Sequence, residues 1–323
     1  MAGDLGEAGG DVVRAYVGVT DGDWYRFLAA RPEITEVNFW QPSGGRVFRA
    51  LESGEPFLFK THHPHNRVVG GGFFSGFVAL PLSEAWGLFG EANGAEDIAT
   101  MRQRIGRYRR APIAPNEDPL IGSIFVRDVA FYPRGLEMGP PPAFAANIVQ
   151  GKTYPLATEP AASYFEEALR RLLGHDVGGD LETAWHLPGP VFGDPRLAPR
   201  RLGQRAFQAV VANAYHRRCA ITGDRIRPVL QAAHIKPVTA GGEHRLDNGL
   251  LLRSDAHTLF DAGYLGVDPK HRLMVSPRLR SEFGNGDEFY ARAGEMIDLP
   301  DRRVDRPSPE FLEWHLDEKY LAS

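Results

Sequence analysis

Four side chains in one short stretch are of types that together can hydrolyse a phosphodiester. Residues 219–261 read CAITGDRIRPVLQAAHIKPVTAGGEHRLDNGLLLRSDAHTLFD. His234 ends an apolar run, Asn248 follows fourteen residues later, His257 nine after that and Asp261 four further on. Such hydrolysis needs a base to activate water and a cation to hold the charge that develops on the phosphate and the leaving oxygen. An imidazole titrates near neutrality, so His234 is the natural general base. His257 and Asp261 are one helical turn apart, share a face and can hold one metal ion. Asn248 lies in the loop between them, where an amide can tie backbone together and fix the direction of the base.

The elements that must position these groups are legible around them. VLQAAHI reads as a half-buried strand that aims its last residues outward. SDAHTLFDAG reads as a short helix with Ser254 or Asp255 as N-cap and Gly263 as stop. Before them, LGQRAFQAVVANAYHRR is an amphipathic helix. After them come a hairpin, GYLGVDPKHRLMVSP, and a final helix, RPSPEFLEWHLDEKYL. His244 and His271 fall in turn-like phrases, GGEHR and DPKHR, and neither is given a catalytic role.

The phrases CAITG, AAHI, NGLLLR and HTLFD, in this order, resemble the HNH nucleases, specifically the group carried by modification-dependent restriction endonucleases. The resemblance implies a ββα-metal domain acting on double-stranded DNA. It implies His234, Asn248 and His257 as catalytic residues, with His257 and Asp261 holding a divalent ion, Mg²⁺ or Mn²⁺. Many such nucleases carry an Asp or His ligand immediately before the base; here that residue is Ala233. Two side chains then remain as ligands, which suits an ion that keeps several waters and binds substrate phosphate.

The amino-terminal part reads as a mixed domain of mostly antiparallel sheet with helices at one side. VVRAYVGV, EVNFWQP, GEPFLFKTH and NRVVGGGFFSGFVALP are strands, and DPLIGSIFVRDVAFYP reads as a pair of apolar runs around Arg127–Asp128. DGDWYRFLAARP, SEAWGLFGEANG and EDIATMRQRIGRYRR are helices. EVNFWQPSG, GEPFLFK, VVGGGFF and NIVQGKTY resemble the amino-terminal halves of HNH restriction proteins, and the segment resembles the PUA/ASCH-type barrels that read nucleic acids. That resemblance implies a pocket for a flipped, modified cytosine, which needs aromatic faces and a few fixed hydrogen bonds. Trp40 is the preferred stacking residue, with Asn38, Phe74 and Tyr132 as further candidates; each aromatic is also a candidate for plain core packing. The run Gly70–Gly72 suits either close approach of a DNA backbone or a bulge.

The expected class is therefore α+β: an amino-terminal PUA-like mixed β-barrel with flanking helices and a carboxy-terminal ββα-metal domain. The expected divisions are a flexible tail at 1–11, a recognition domain at 12–155, a helix and Gly/Pro-rich linker at 156–200, and a nuclease domain at 201–323.

A formal net charge of −4 does not announce a nucleic-acid binder, yet residues 194–236 carry nine Arg or Lys against two acids. This basic block leads into the proposed site, where a phosphate backbone has to lie. Arg201, Arg205, Arg217, Arg218, Arg225 and Lys236 are the expected backbone contacts, with Lys152 as another. Gly151-Lys152-Thr153 lacks the earlier glycine of a phosphate-cradling loop, Ala146 standing in its place. His62, His63 and His65 sit in a Pro-containing turn without a partner set and read as solvated loop. The single cysteine, Cys219, excludes an intramolecular disulfide and a multi-cysteine zinc site, and reads as a buried small hydrophobe. No apolar run approaches the roughly 18 residues of a membrane span. The acidic, Gly-rich start has neither a basic nor an apolar leader region, and a cytoplasmic location is expected. One such site cuts one strand, so double-strand cleavage would need two copies, as in a homodimer. Three alternatives stay open: a phosphorothioate-dependent nuclease, a modification-independent one, and a catalytically silent nucleic-acid-binding protein.

Overall fold

The computed structural model describes residues 13–174 and 203–322. The expected tail at 1–11, the linker beyond residue 174 and Arg201 lie outside the described residues. The chain divides into two compact units, 1–198 and 199–323.

The first unit runs β1 (Arg14–Thr20), α1 (Gly22–Ala29), β2 (Glu36–Gln41), β3 (Pro56–Thr61), β4 (Val68–Pro81), α2 (Leu82–Phe89), α3 (Ile98–Arg109), β5 (Leu120–Phe131), β6 (Gly151–Pro155) and α4 (Ala161–Gly174). Six strands form one sheet in the order β2-β5-β4-β3-β1-β6, with β1 parallel to β3 and every other pair antiparallel. The expected barrel is therefore a sheet with two edges: among the described residues no pairing of β2 with β6 closes it. The two apolar runs expected around Arg127–Asp128 are one strand, β5. Asp128 takes φ 52° where the register against β4 shifts, so the strand absorbs the charged pair as a bulge.

Alternation along the central strands builds a core on each face. Ala15, Val17 and Leu58 turn to one side and pack with Tyr132, Phe165 and Leu169 beneath α4. Tyr16, Phe57 and Phe59 turn to the other and pack with Trp24, Phe39, Phe74 and Val126. Strands buried on both faces need apolar residues at nearly every position, hence FLF and YVGV. Asp21 starts α1 by accepting from the Trp24 backbone N–H, and Trp24 and Leu28, four apart, bury its inner face.

Gly70–Gly72 are buried within β4, so the close approach they permit is between strands rather than to DNA. A Cβ on Gly71 would lie 2.6 Å from Leu58 Cδ2 and 2.7 Å from the Phe57 carbonyl oxygen. The side chain can yield and the backbone cannot. Gly71→Ala is expected to destabilise the first unit by about 1–3 kcal/mol, read as a lower urea midpoint. An unchanged midpoint would mean that the strands are less tightly spaced than described.

The second unit runs α5 (Gln204–Ala214), β7 (Leu230–His234), β8 (Gly249–Arg253), α6 (Ser254–Asp261), β9 (Leu265–Val267), β10 (Leu273–Val275), α7 (Pro277–Phe283), α8 (Asp287–Tyr290) and α9 (Pro309–Glu318). β7 and β8 pair antiparallel with His234 opposite Gly249, and α6 follows β8 directly. Leu250, Leu252, Ala256 and Phe260 bury the joint. The N-cap lies ahead of both expected residues, Ser254 and Asp255. Arg253 holds that position without a side-chain cap, and Asp255 accepts instead from the Ala256 N–H. The Arg253 guanidinium is engaged by Asp224, Asp255 and Glu288, and these pairings hold its pKa well above the ordinary value. Cys219 is buried, and its Sγ accepts from the backbone N–H of Thr222 (3.4 Å) and Arg253 (3.2 Å), pinning the CAITG turn to the start of α6. Among the described residues no helix is long and apolar enough to cross a membrane.

Candidate active site

His234 closes β7 and is fixed from two sides. Its ring stacks on Phe207 of α5, with centroids 4.1 Å apart and planes 8° from parallel. Its Nε2 lies 2.9 Å from Nδ1 of His244. The cross-strand partner Gly249 makes the stack possible: a Cβ there would sit 2.7 Å from Val211 and 3.1 Å from the Phe207 ring, pushing α5 away. Burial, then the neighbouring His244 and His257, push the His234 imidazole down to about 4. At neutral pH it is uncharged and has a lone pair to offer.

His257 and Asp261 share one face of α6, with Nε2 and Oδ2 3.3 Å apart. Nδ1 of His257 lies 2.8 Å from Gln231 Oε1, an oxygen that can only accept, so Nδ1 carries the ring hydrogen. Nε2 then turns its lone pair toward a carboxylate oxygen. Two electron-rich atoms at that distance call for a proton or a cation between them, and a hard divalent ion fits an imidazole and a carboxylate with water completing its shell. The side chain of Ala233 is fully buried opposite Leu250, so that position faces the core. Among the described residues no cluster of three or more His, Cys, Asp or Glu is placed to hold a metal.

Asn248 is fully buried and uses its whole amide. Oδ1 accepts from the Lys236 N–H (2.8 Å), while Nδ2 donates to the carbonyls of Lys236 and Glu243 (2.9 Å each). The loop leaving His234 is thereby tied to the loop entering β8.

His234, His257 and Asp261 line one cleft of about 300 Å³ together with Ala232, His315 and Lys319. His315 and Lys319 come from the end of the chain, and sequence reasoning missed both. His315 is 2 % exposed; it stacks on Phe260, its Nε2 lies 3.0 Å from the Phe260 carbonyl, and its Nδ1 has no partner among the described residues. Burial lowers it from 6.5 to about 4. A histidine kept neutral in the fold binds fewer protons than it does unfolded, so stability is full above pH 6.5 and falls as pH drops toward 4. His315→Phe keeps the ring stack and removes the titrating group. Its melting temperature is expected to fall less steeply than that of the wild type between pH 6.5 and 4.5; parallel slopes would exclude His315 as a contributor.

The expected backbone contacts fall on different elements. Arg205 and Arg225 are exposed, and Arg217 follows α5 with φ 53°. Arg218 pairs with Asp298 at 3.7 Å, and the Lys236 ammonium lies 5.6 Å from the Trp314 ring centre. Lys152 belongs to β6 in the first unit, where its ammonium donates to the Ala143 carbonyl (2.6 Å).

The expected base pocket is largely core. Asn38 donates to Asn93 and Ser123 in the interior, Phe74 packs against Phe48, and the Tyr132 hydroxyl donates to the Ala168 carbonyl beneath α4. All three are buried because inward positions of the sheet take aromatic and polar residues alike. Trp40 alone of the four is half-buried. Its Nε1 donates to the Asn93 carbonyl, and its ring meets Tyr108 edge-on at 5.9 Å. Tyr108 is 44 % exposed and also lies over His62, a residue read as solvated loop.

Residues 219–268 match the family model of the HNH endonucleases, HNH_2. No curated protein matches the chain. Among solved structures the chain is similar to a modification dependent TagI restriction endonuclease, at 21 % identity and a TM-score of 0.26, over 38 % of this chain and 39 % of that one. It thus spans about two fifths of that enzyme's length. It is also similar to an ASCH protein from Zymomonas mobilis, at 13 % identity and a TM-score of 0.27, over 39 % of this chain and 73 % of that one. A mutant form of the latter aligns at 11 % identity and a TM-score of 0.33, over 47 % and 96 % of the two chains.

Proposed function

We propose, on the premise that the second unit carries an HNH endonuclease segment, that this chain is a divalent-cation-dependent endonuclease of double-stranded DNA. We propose also that residues 12–155 direct it to DNA bearing a modified cytosine, methylated or hydroxymethylated. One observation carries the nuclease reading: a neutral histidine and an imidazole–carboxylate pair line the same cleft. In this reading His234 takes a proton from water, the water oxygen attacks phosphorus, and the bond to the 3′ oxygen breaks, its electron pair leaving with that oxygen, which takes a proton from solvent. Asn248 holds the loop that follows the base. Gln231 keeps the Nε2 lone pair of His257 directed at the cation site. His257 and Asp261 would hold Mg²⁺ or Mn²⁺ there, and the ion would supply positive charge against the negative charge developing on the phosphate and the departing oxygen.

A second reading, a nuclease indifferent to base modification, is favoured by the burial of Asn38, Phe74 and Tyr132. One plasmid in four forms separates the two: unmodified, cytosine-methylated, hydroxymethylated and phosphorothioated, each with Mg²⁺ or Mn²⁺. Cutting confined to a cytosine-modified form is expected. Trp40→Ala is expected to lose that preference while still cutting. Equal cutting of all four forms would remove the selective role of the first unit.

A further inference from the structure

The geometry points to His244 as the positioning residue that sets the tautomer of the general base, by accepting the Nε2–H of His234. This rests on the nuclease reading for its functional meaning, whereas the hydrogen bond is a property of the protein alone.

The two nitrogens are 2.9 Å apart, and in a neutral pair one ring must donate and the other accept. Donation from His234 to His244 places the ring hydrogen of both residues on Nε2, the commoner tautomer of a neutral histidine. Donation in the other direction requires the rarer Nδ1–H form in both rings. The favoured arrangement leaves the lone pair of His234 on Nδ1. The other leaves a hydrogen there, with no lone pair free to take a proton from water. Once Nδ1 has been protonated, the imidazolium still donates from Nε2, and now by a charge-assisted bond. His244 thus directs the base before proton transfer, and the same hydrogen bond remains open to the ring afterwards.

The packing limits any other arrangement. Phe207 covers one face of His234 and lies 5.7 Å from the His244 ring, so one α5 side chain holds both imidazoles against rotation. His244 comes from the loop that Asn248 closes through the Glu243 carbonyl, the residue immediately before it. The histidine that sets the tautomer and the asparagine that holds the loop therefore act on one short segment. Ring nitrogens of metal-bound or catalytic histidines are commonly set by the hydrogen bond that the second nitrogen makes; here the partner is another histidine ten residues away.

The test uses the full-length chain labelled with ¹⁵N-histidine, the His234 signals being assigned by their loss in His234→Ala. Long-range proton–nitrogen spectra at pH 7.5 are expected to show hydrogen on Nε2 and a bare Nδ1 in the wild type. His244→Asn, whose amide oxygen can stand where Nδ1 stood, is expected to keep that pattern, while His244→Ala yields a mixture of tautomers. On a plasmid form that the wild type cuts, His244→Ala should lower kcat by roughly 10–100-fold with KM little changed, and His244→Asn should restore most of it. Hydrogen on Nδ1 of His234 in the wild type would overturn the proposal, as would a tautomer unmoved by His244→Ala. Should no plasmid form be cut, the nuclease reading fails and the wild-type spectrum still decides the tautomer. If His244→Ala does not fold, the wild-type and His244→Asn spectra decide it.

Discussion

His234→Ala is expected to fold and to cut DNA about 10²–10⁴-fold more slowly than the wild type, the span that a positioned general base contributes. The residue ends its strand, so its removal leaves the β7–β8 pairing intact, and the fully buried Ala233 and Ile235 remain to anchor the segment. What is lost is a neutral imidazole held by Phe207 and His244. Single-turnover cleavage at saturating protein isolates the chemical step, and circular dichroism establishes the fold. Retained cleavage within a few-fold of wild type would move the base elsewhere.

Asn248→Ala is expected to cost about 2–4 kcal/mol of stability in the second unit and to remove cleavage with it. One substitution strips partners from the Lys236 N–H and the Lys236 carbonyl, and an unsatisfied buried group costs about 1–3 kcal/mol; the Glu243 carbonyl keeps the Arg245 N–H. Asn248→Asp should not rescue. It keeps an acceptor for the Lys236 N–H but sets a carboxylate oxygen against the two carbonyls that Nδ2 had served. Urea denaturation followed by fluorescence measures both variants. A midpoint equal to wild type in Asn248→Ala would show that the loop is held by other contacts, and the amide would lose its structural role.

Much of the site's frame was readable because its signals are local. The apolar run of VLQAAHI, the turn residues after it and the helical spacing of His257 and Asp261 each depend on fewer than ten residues. They lead to β7, the loop after it and α6 as the structure has them, whereas β8 was expected only through the resemblance to a ββα-metal domain. What escaped depends on how that frame closes. His244 reads as a turn residue, since nothing in GGEHR tells that the loop folds back onto His234. His315 and Lys319 belong to the last helix and the residue after it, far along the chain from α6, and reach the cleft only through packing. Gln231 looks like a solvent-facing strand residue until its amide is seen beside His257.

In the first unit, the order of strands and helices as far as α3 followed from alternation and caps; β5 read as two runs, β6 was not read as a strand, and the choice of base-pocket residues did not follow. Phe74 and Tyr132 sit in strongly apolar phrases that a core and a stacking platform share, and both are buried. Asn38 shows the same ambiguity for a polar residue: its Nδ2 donates into an interior network with Asn93 and Ser123, while its Oδ1 is buried without a partner among the described residues. The glycines 70–72 signalled close approach correctly in kind, but the approaching backbone is that of neighbouring strands.

In the proposed function, one cleft in the second unit hydrolyses DNA with a divalent cation and expels the 3′ oxygen. The direct measurement incubates the four plasmid forms with full-length protein in Mn²⁺, in Mg²⁺ and in chelator, then asks whether the cut ends can be rejoined by a DNA ligase. Cutting in at least one form with a cation and none in chelator is expected, with ends that rejoin because they carry 5′ phosphate and 3′ hydroxyl. Cutting that persists in chelator, ends that cannot be rejoined, or no cutting of any form with either cation would contradict it.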